Sequence, residues 1–436
     1  MSRSGVVRLL LVCSLAATLF TGCSRDPNVR KQKYFESGER YFARGKYREA
    51  AIQFSNAVQV DPRFAQAHYQ LAETYLKLRD FNRAYQELSR AVELAPDNYP
   101  AHVDLANLLI SARDLKQART HLDILREKQP NSPDTHEALA NFYSAQNDLG
   151  AAMQEMQKGI AADPNRSESY LNLALLQLRT NLPDQAEINF KKAADTGPKA
   201  MNAQLALGGF YQSRNRTAEA EQQFKHAIDV DPKDPGPRAA LVRLLMTEGK
   251  KSEIEAFLKQ TKSDLSDNSE GYRMLGDFYF ANGDLDKATT EYGALHQDHP
   301  KDIQVKKNYI QLLILKNRLD EAAKLNSEIL RVNPRDVEGL VYRGQMQIRQ
   351  GDPNGAADSL QTAIKNDPDN AVAHYQLGVA FDQQHNSARA ESEWREAVRL
   401  RPDLSDAQRA LAAVEMQRGD VEALLQSAQQ IITNQP

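Results

Sequence analysis

Proline recurs along this chain at a fixed interval of 34 residues. It occupies positions 62, 96, 130, 164, 198, 232, 300, 334, 368, 402 and 436. One point of this lattice departs from the rule, at Ser266. Since no insertion or deletion breaks the interval from residue 31 onward, the sequence predicts a tandem array of twelve repeats rather than a few conventional domains.

Each repeat, numbered 1–34 from Lys31, carries two sets of small and apolar residues at helical spacing. Positions 4, 7, 8 and 11 form one set, and positions 20, 24 and 27 form the other. Position 8 is Gly or Ala in ten repeats and position 20 is Ala in ten. Turn signals such as Gly45-Lys46 and Asn147-Asp148 separate the two sets. We therefore predict two amphipathic helices, A and B, which approach closely through the small residues.

This pattern, with aromatic residues frequent at position 11, resembles the tetratricopeptide repeat. The first repeat shows it in full as YFESGERYFARGKYREAAIQFSNAVQVDP. The resemblance covers residues 31–436 and implies an all-α fold. The expected form is a right-handed superhelical solenoid of about twelve helix-turn-helix repeats, with helix A lining the concave side. Because one repeat cannot bury its apolar faces alone, stability is expected to come from stacking on neighbours.

The seventh repeat, residues 235–268, departs furthest from the pattern. It has Ile254 at position 20 and Thr261 at position 27, and it lacks the closing proline. One interpretation is a hinge between repeats 1–6, residues 31–234, and repeats 8–12, residues 269–436. The other is sequence drift with the stacking intact, which the unbroken register favours.

The first 22 residues have the features of an export signal. Arg3 and Arg8 precede a 12-residue apolar stretch over residues 9–20. That length is too short for a membrane-spanning helix, which takes roughly 20 residues, and it suits a secretory signal. The ending LFTGC resembles a bacterial lipobox, which implies cleavage before Cys23 and lipidation of its sulfur. The alternative is an ordinary secretory signal followed by a chance cysteine.

The lipobox resemblance implies a location as well as an anchor. Residues 1–22 are then a lipoprotein signal peptide, and residues 23–30 comprise the lipidated cysteine and a linker. Several acyl chains on Cys23 would hold the chain on a membrane, since each buried CH₂ contributes about 0.8 kcal/mol. By analogy with lipoprotein sorting in Gram-negative bacteria, Ser24 implies a periplasm-facing lipoprotein of the bacterial cell envelope, in the outer membrane.

Composition argues against several other functions. With 55 Lys and Arg against 58 Asp and Glu, the net charge is −3, and no basic surplus indicates nucleic acid as a partner. Two cysteines are too few for a disulfide framework or a four-cysteine zinc site. No nucleophile elbow, phosphate loop or HExxH motif is present. Because the repeats leave no room for a separate catalytic domain, we expect no enzymatic activity and no cofactor.

Histidine recurs at position 4 of four repeats, as His68, His102, His136 and His374. A histidine ladder suggests metal, but stacked helices lie about 8–10 Å apart, whereas zinc ligands all lie about 2 Å from one ion. We therefore expect these histidines to pack, and we expect no metal site. His296 and His299 form an HxxH pair, which alone is a weak indication of metal.

By the same resemblance, positions 2, 5, 9, 12 and 13 of helix A face a concave groove that binds partners. Positions 5 and 12 of the first three repeats hold apolar residues, namely Phe35, Phe42, Tyr69, Leu76, Val103 and Ile110. They predict an apolar strip able to hold an extended segment or a helix of a protein. The alternative is that these side chains pack partly against the next helix A.

Three basic residues of successive later repeats suggest a second binding surface. These are Arg243, Arg273 and Lys307. A basic patch of this kind would bind an acidic peptide or an anionic polysaccharide. The alternative is scattered surface charge, which contributes little to binding.

The repeats and the anchor together predict a non-enzymatic protein–protein interaction scaffold, lipid-anchored in the bacterial envelope. Its partners would be other envelope proteins. The resemblance to tetratricopeptide lipoproteins implies an export or assembly complex, for polysaccharide or protein export, pilus assembly or outer-membrane assembly. The first alternative is a periplasmic glycan- or peptidoglycan-binding module, against which the core position of the single tryptophan, Trp394, argues. A further alternative, an enzyme or its regulatory part, fits a whole-length repeat poorly.

Overall fold

The computed structural model describes residues 26–418, which form 23 α-helices and no β-strand. The chain divides into two compact halves, the N-terminal half Met1–Val230 and the C-terminal half Asp231–Pro436. Within each half, successive helices pack against one another along the chain. The predicted all-α repeat solenoid is therefore confirmed.

The helix bounds follow the repeats in both halves. In the N-terminal half, α1 to α12 are Pro27–Ala43, Tyr47–Val60, Ala65–Lys77, Phe81–Leu94, Tyr99–Ser111, Leu115–Lys128, Pro133–Ala145, Leu149–Ala162, Ser167–Arg179, Pro183–Thr196, Met201–Ser213 and Thr217–Val230. In the C-terminal half, α13 to α23 are Pro235–Thr247, Lys251–Asp264, Ser269–Ala281, Leu285–Asp298, Ile303–Leu315, Leu319–Val332, Val337–Arg349, Pro353–Asn366, Ala371–Gln383, Ser387–Leu400 and Ser405–Arg418.

The helices keep the 34-residue register without a slip. In the second to eleventh repeats, helix A occupies positions 1–13, and in the first to eleventh repeats helix B occupies positions 17–30. Position 15 adopts a left-handed backbone in each described A–B turn, at Gly45, Arg79, Arg113, Asn147, Asn181, Asn215, Gly249, Gly283, Asn317, Gly351 and His385. Gly and Asn hold most of these positions because they tolerate positive φ at little cost. The turn signals in the sequence therefore mark a specific backbone requirement.

The first helix begins at Pro27, earlier than the repeat pattern requires. The Asp26 carboxylate accepts a hydrogen bond from the Asn28 backbone N–H at 2.8 Å. Proline fits the first turn of a helix because its missing N–H has no partner there in any case. Residues 27–30 of the predicted linker are consequently helical.

The predicted signal peptide, residues 1–22, and the lipidation site Cys23 lie outside the described residues. The same holds for helix B of the twelfth repeat. Between residues 26 and 418, none of the helices combines the length and the apolar character needed to cross a membrane.

Helices A and B meet through the small residues at positions 8 and 20. The ten alanines at position 20 are all 0 % exposed: Ala50, Ala84, Ala118, Ala152, Ala186, Ala220, Ala288, Ala322, Ala356 and Ala390. Where position 8 is glycine, the side chain at position 24 fills the space above it. A Cβ added at Gly38 would lie 2.5 Å from Phe54 Cε1, and one at Gly276 would lie 2.7 Å from Tyr292 Cε2. Atoms cannot approach this closely, so alanine at either position would force the aromatic ring to shift.

Neighbouring repeats share apolar cores. In the N-terminal half, one cluster joins Leu88 of the second repeat, Leu122 of the third and Phe142 of the fourth. In the C-terminal half, another joins Leu340 of the tenth repeat and Leu377 of the eleventh. Burying such a side chain contributes roughly 1.5–3 kcal/mol. Much of that contribution would be lost in an isolated repeat, which is why the repeats stabilise one another.

Three of the four histidines at position 4, His68, His102 and His374, contact the preceding repeat. His68 Nε2 lies 3.1 Å from the Pro62 carbonyl oxygen of the preceding repeat, and His68 Nδ1 lies 2.5 Å from Glu87 of its own helix B. His374 makes the same two contacts in the eleventh repeat. Both ring nitrogens are thus engaged within the fold, as the packing interpretation predicted. In the part of the chain that the structure describes, no three His, Cys, Asp or Glu side chains are grouped to hold a metal.

The third repeat has histidine where the other ladder repeats have glutamate. His102 Nδ1 faces His121 Nδ1 at 2.9 Å, and His102 Nε2 lies 3.1 Å from the Pro96 carbonyl oxygen. Burial lowers the pKa of His102. Burial and the neighbouring His102 lower the pKa of His121 to about 4. The pair is therefore suited to the neutral state.

We predict that His121→Glu reduces the acid sensitivity of the third repeat. The unfolded chain binds the proton near pH 6.5, above the lowered pKa of His121, so stability present above that pH is lost as the pH falls towards 4. Glutamate gives His102 the partner that His68 has. At pH 5 the variant should retain about 1 kcal/mol more stability, a value reduced for the partial exposure of the site.

Native-state hydrogen exchange of α5 and α6 at pH 7 and pH 5 measures this difference. His226→Glu, at an exposed histidine of α12, is the matched control and should change it little. Equal acid sensitivity in the wild type and in His121→Glu would contradict the prediction.

The seventh repeat keeps the register despite its divergent sequence. Ile254 at position 20 is fully buried in place of alanine. Arg238 at position 4 replaces the histidines: its Nη1 donates to the Pro232 carbonyl oxygen at 2.7 Å, and its Nη2 donates to Asp264 Oδ2 at 3.3 Å. The first contact joins the seventh repeat to the preceding one, and the second joins its two helices. The hinge over residues 235–268 stays a prediction.

Candidate partner-binding groove

Helices A of the second, third and fourth repeats lie side by side in the N-terminal half. The Tyr69 hydroxyl of α3 donates to Asp104 Oδ2 of α5 at 3.1 Å. Asn141 Nδ2 of α7 donates to Asn107 Oδ1 of α5 at 3.0 Å. We call the surface along these three helices the helix-A groove. Its lining includes Tyr69, Leu76, Phe81, Val103, Asp104, Asn107, Leu108 and Thr135.

One cavity of the helix-A groove lies between Tyr69 and the start of α7. Its volume is about 450 Å³, and its lining includes Val103, Asp104 and Thr135. Thr135 is 1 % exposed, and its hydroxyl has no hydrogen-bond partner among the described residues. Buried hydroxyls normally find a partner, so this one is unusual.

A second cavity, of about 440 Å³, has mainly apolar walls. Leu76, Phe81 and Leu108 line it, together with Asp104, which the two cavities share. The Phe81 side chain is 54 % exposed. An exposed aromatic ring beside an apolar cavity is typical of a surface that a partner covers.

A third cavity adjoins the apolar one and is polar. It has a volume of about 500 Å³, and Asn107 belongs to its lining as well as to that of the apolar cavity. Two arginines of the lining are held in place: Arg113 Nη1 donates to the Ala145 carbonyl oxygen at 2.9 Å, and Arg179 Nη1 donates to Ser144 Oγ at 2.6 Å. The groove therefore has an apolar and acidic part and a part lined by arginine and amide groups.

Two carboxylates of the groove are destabilised in their charged form. Burial raises the pKa of Asp104, and the negative charge of Asp134 adds to the effect, against the hydrogen bond from Tyr69 and the charge of Lys77. Burial also raises the pKa of Glu73, and the charge of Asp104 adds to it. The pKa of the Tyr69 hydroxyl is raised by burial and by these same carboxylates. The groove is thus acidic and partly desolvated.

The six residues predicted to line the groove differ in their exposure to solvent: two are buried and four are partly exposed. Phe35 is 3 % exposed, with its ring 5.6 Å from that of Phe54, and Ile110 is 7 % exposed. Both belong to the core, so the prediction that they form an accessible apolar strip is wrong. Their side chains are covered by neighbouring helices, as the packing alternative held. The other four remain partly exposed: Phe42, Tyr69, Leu76 and Val103.

Two of the three residues of the predicted basic patch make contacts within the C-terminal half. Lys307 is paired with Asp336 at 3.0 Å and with a second carboxylate at 2.6 Å. Arg273 Nε donates to a backbone carbonyl of its own helix at 2.9 Å. Arg243 is exposed. Because two carboxylates already neutralise Lys307, the prediction that it binds an acidic ligand is wrong, whereas the prediction for Arg243 and Arg273 stays open.

The HxxH pair does not converge on a shared site either. The His299 ring stacks on Tyr272 with centroids 3.9 Å apart. The His296 ring lies 6.1 Å from Tyr309 instead. The two imidazoles therefore pack against different aromatic rings.

Sequence reasoning missed Phe81, Asp104 and Leu108. They occupy positions 17, 6 and 10, outside the positions that the family resemblance assigned to the groove. One signal was available: Asp104 is a charged residue near the start of the largely apolar run VDLANLLI. A carboxylate at such a position is rarely required by packing.

Comparisons with solved structures show similarity at low sequence identity. The alignment with the crystal structure of yeast Tom70 covers 93 % of this chain and 100 % of the Tom70 chain, at 16 % identity and a TM-score of 0.43. The alignment with the Pseudomonas aeruginosa pilF structure covers 49 % of this chain and 97 % of the pilF chain, at 19 % identity and a TM-score of 0.36.

Sequence comparisons identify the repeat directly. The DnaJ homolog subfamily C member 7 homolog of Schizosaccharomyces pombe is 28 % identical over 137 residues. The match spans 30 % of this chain and 29 % of that relative. Family models described as tetratricopeptide repeat match residues 38–78, 76–142, 133–166, 171–235, 279–340, 344–384 and 375–436. The chain therefore belongs to the tetratricopeptide-repeat family and is a repeat scaffold for protein–protein interaction.

Proposed function

We propose that this protein is a non-enzymatic, lipid-anchored scaffold of the bacterial envelope that holds a segment of a protein partner in the helix-A groove. The observation that carries the proposal is the apolar cavity beside Phe81, whose side chain is 54 % exposed. A partner side chain entering this cavity would remove apolar surface from water at roughly 25 cal/mol per Å². By binding such segments, the protein organises an export or assembly complex of envelope proteins.

The competing proposal is a glycan- or peptidoglycan-binding module. Sugar sites commonly offer an exposed aromatic face, and tryptophan has the largest one. Trp394 is 5 % exposed, and its Nε1 donates to the Tyr375 carbonyl oxygen at 3.1 Å. Its ring is unavailable to a sugar, which supports the protein-binding proposal.

Crosslinked pull-down from intact cells tests the proposal. The wild type is compared with Leu76→Ala/Phe81→Ala, which removes two walls of the apolar cavity. The matched control is Ile52→Ala/Ile188→Ala, since these side chains are 59 % and 56 % exposed on helices B of the same half. We expect envelope proteins to be captured by the wild type and the control but lost from the groove variant.

Two results would contradict the proposal. Capture of the same partners by the groove variant would place the interface elsewhere. Binding of the wild type to a glycan array, without captured proteins and with loss of binding in the groove variant, would favour the competing proposal.

The anchor gives a separate prediction. Cys23→Ser removes the sulfur that would be lipidated, so the protein should move from the membrane fraction to the soluble fraction after cell lysis and centrifugation. Cys13→Ser changes the other cysteine, which lies within the predicted signal peptide, and should leave the distribution unchanged. Continued membrane association of Cys23→Ser would mean that protein contacts, rather than lipid, hold the chain there.

A further inference from the structure

Asp104 occupies the centre of the helix-A groove. It lines both the cavity beside Tyr69 and the apolar cavity beside Phe81. A carboxylate offers about four lone-pair sites. Within the described residues, the Tyr69 hydroxyl is the one hydrogen-bond donor to this carboxylate. The Asp104 carboxylate can therefore accept further hydrogen bonds, which indicates a ligand that carries hydrogen-bond donors.

Among residues 26–418, neither Asp104 nor Glu73 has a cationic side chain within ion-pair distance, and the charge of Lys77 acts on them only from farther away. Acidic residues stabilise a helix when they lie in its first turn, but these two lie at positions 6 and 9 of their helices. Arg166 is engaged by Asp134 at 2.5 Å and by Glu137 at 3.0 Å. Lys77 at the end of α3 is exposed and pairs with neither carboxylate within 4 Å among residues 26–418. A cation from outside the chain would complete the site.

Thr135 supplies an independent indication of a ligand. It lines the same cavity as Asp104, it is 1 % exposed, and its hydroxyl has no partner in the described part of the chain. A buried hydroxyl without a partner costs about 1–3 kcal/mol. A ligand group in the cavity would provide the missing hydrogen bond.

We propose that the helix-A groove recognises a partner segment in which a lysine or arginine lies between apolar residues. The cationic head binds the Asp104 carboxylate, assisted by Glu73, and a neighbouring apolar side chain enters the cavity lined by Leu76, Phe81 and Leu108. This inference rests on the proposed function and adds the chemistry of the segment that the groove holds.

Charge complementarity favours a basic segment over an apolar or an anionic one. Covering Asp104 with an apolar or anionic segment would desolvate a carboxylate that has no cationic partner, which is strongly unfavourable. A lysine or arginine removes that cost, and truncating one member of such a buried pair weakens binding substantially. The apolar walls of the second cavity favour flanking leucine-like side chains over a continuous run of charge.

Fluorescence polarisation with the full-length protein in detergent tests the proposal. The probe is a short fluorescein-labelled peptide with a Leu-Lys-Leu centre, and matched peptides carry glutamine or glutamate in place of lysine. Asp104→Asn keeps the size of the side chain and an acceptor for Tyr69, and Glu73→Gln is the second variant. Asp123→Asn, an exposed carboxylate of α6, is the control.

The lysine peptide should bind the wild type and Asp123→Asn about tenfold or more tightly than the glutamine peptide. Asp104→Asn should abolish that preference, and Glu73→Gln should reduce it. Asp104→Asn should melt at or above the wild-type temperature, since it removes a desolvated charge, whereas a purely structural aspartate would lower it. The glutamate peptide should bind most weakly.

Equal binding of the lysine and glutamine peptides to the wild type would overturn the inference. So would a lysine preference that persists in Asp104→Asn, or no binding of the lysine peptide below about 1 mM. If the pull-down partners still depend on Leu76 and Phe81, the scaffold proposal stands and only the chemistry of the segment fails. If partners are retained without those side chains, the proposed function itself fails.

Discussion

Gly208→Ala is expected to destabilise the sixth repeat, whereas the same change at the adjacent Gly209 is expected to stabilise it. A Cβ at Gly208 would lie 2.5 Å from Phe224 Cε1, and Phe224 is 3 % exposed, so its ring would have to shift within a packed core. A Cβ at Gly209 meets nothing within 4 Å. Both variants gain up to about 1 kcal/mol of helix propensity. Their difference therefore isolates the steric contact, at about 1–3 kcal/mol.

Local hydrogen exchange in α11 and α12 measures both free-energy changes. A second substitution, Phe224→Leu, should restore much of the stability of Gly208→Ala, because earlier repeats already combine alanine at position 8 with leucine at position 24. If both glycine variants stabilise equally, position 8 is not under the packing constraint described above.

Arg238→Ala is expected to lower the stability of the seventh repeat by about 2–3 kcal/mol. The Arg238 side chain is 4 % exposed, and the substitution leaves the Pro232 carbonyl oxygen without its donor and Asp264 without its cation. Arg238→Met should cost less, because it keeps the apolar stem. The difference between the two variants separates packing from hydrogen bonding.

The neighbouring Arg243→Ala is the matched control for this prediction, since Arg243 is exposed on the same helix. It should change stability by no more than about 0.5 kcal/mol. Hydrogen exchange in α13 and α14 reports both effects. Comparable losses at Arg238 and Arg243 would show that the contact with Pro232 does not stabilise the repeat.

The fold was predictable because its determinants are local in the sequence. Helical spacing, the small residues at positions 8 and 20, and the turn residues at position 15 all act within 34 residues. The same pattern recurs along the chain, so the helices of a divergent repeat can be assigned from the register of its neighbours. The histidine ladder shows the limit: its packing role was predictable, but its carbonyl partner in the preceding repeat was not.

The candidate site was predictable only in part because it depends on how neighbouring repeats pack. The exposure of the side chain at position 5 varies between repeats: Phe35 is buried, whereas Tyr69 is half-buried. Lys307 forms an ion pair with Asp336 of the next repeat and is therefore not available to a ligand. Phe81 lies on the surface through its place at the start of helix B. None of these differences follows from the repeat pattern, since each depends on the particular residues of adjacent repeats.

The corrected site also reverses the predicted charge of the ligand. Lys307 of the C-terminal half is paired with carboxylates of the fold, whereas Asp104 and Glu73 of the N-terminal half have no cationic partner within 4 Å among the residues that the structure describes. An unpaired, partly buried charge is a stronger indication of a ligand than an exposed one. The expected segment is therefore basic rather than acidic.

Site-specific photocrosslinking in intact cells tests most directly whether the helix-A groove holds a partner. A photoreactive phenylalanine analogue replaces either Phe81, at the edge of the groove, or Ile188, on helix B of the fifth repeat. The two side chains are 54 % and 56 % exposed, so access to solvent does not distinguish them. We predict a discrete crosslinked protein from position 81, which disappears with Asp104→Asn, and none from position 188. Crosslinking to the same protein from position 188 alone, or equally from both positions, would contradict the groove as the binding site.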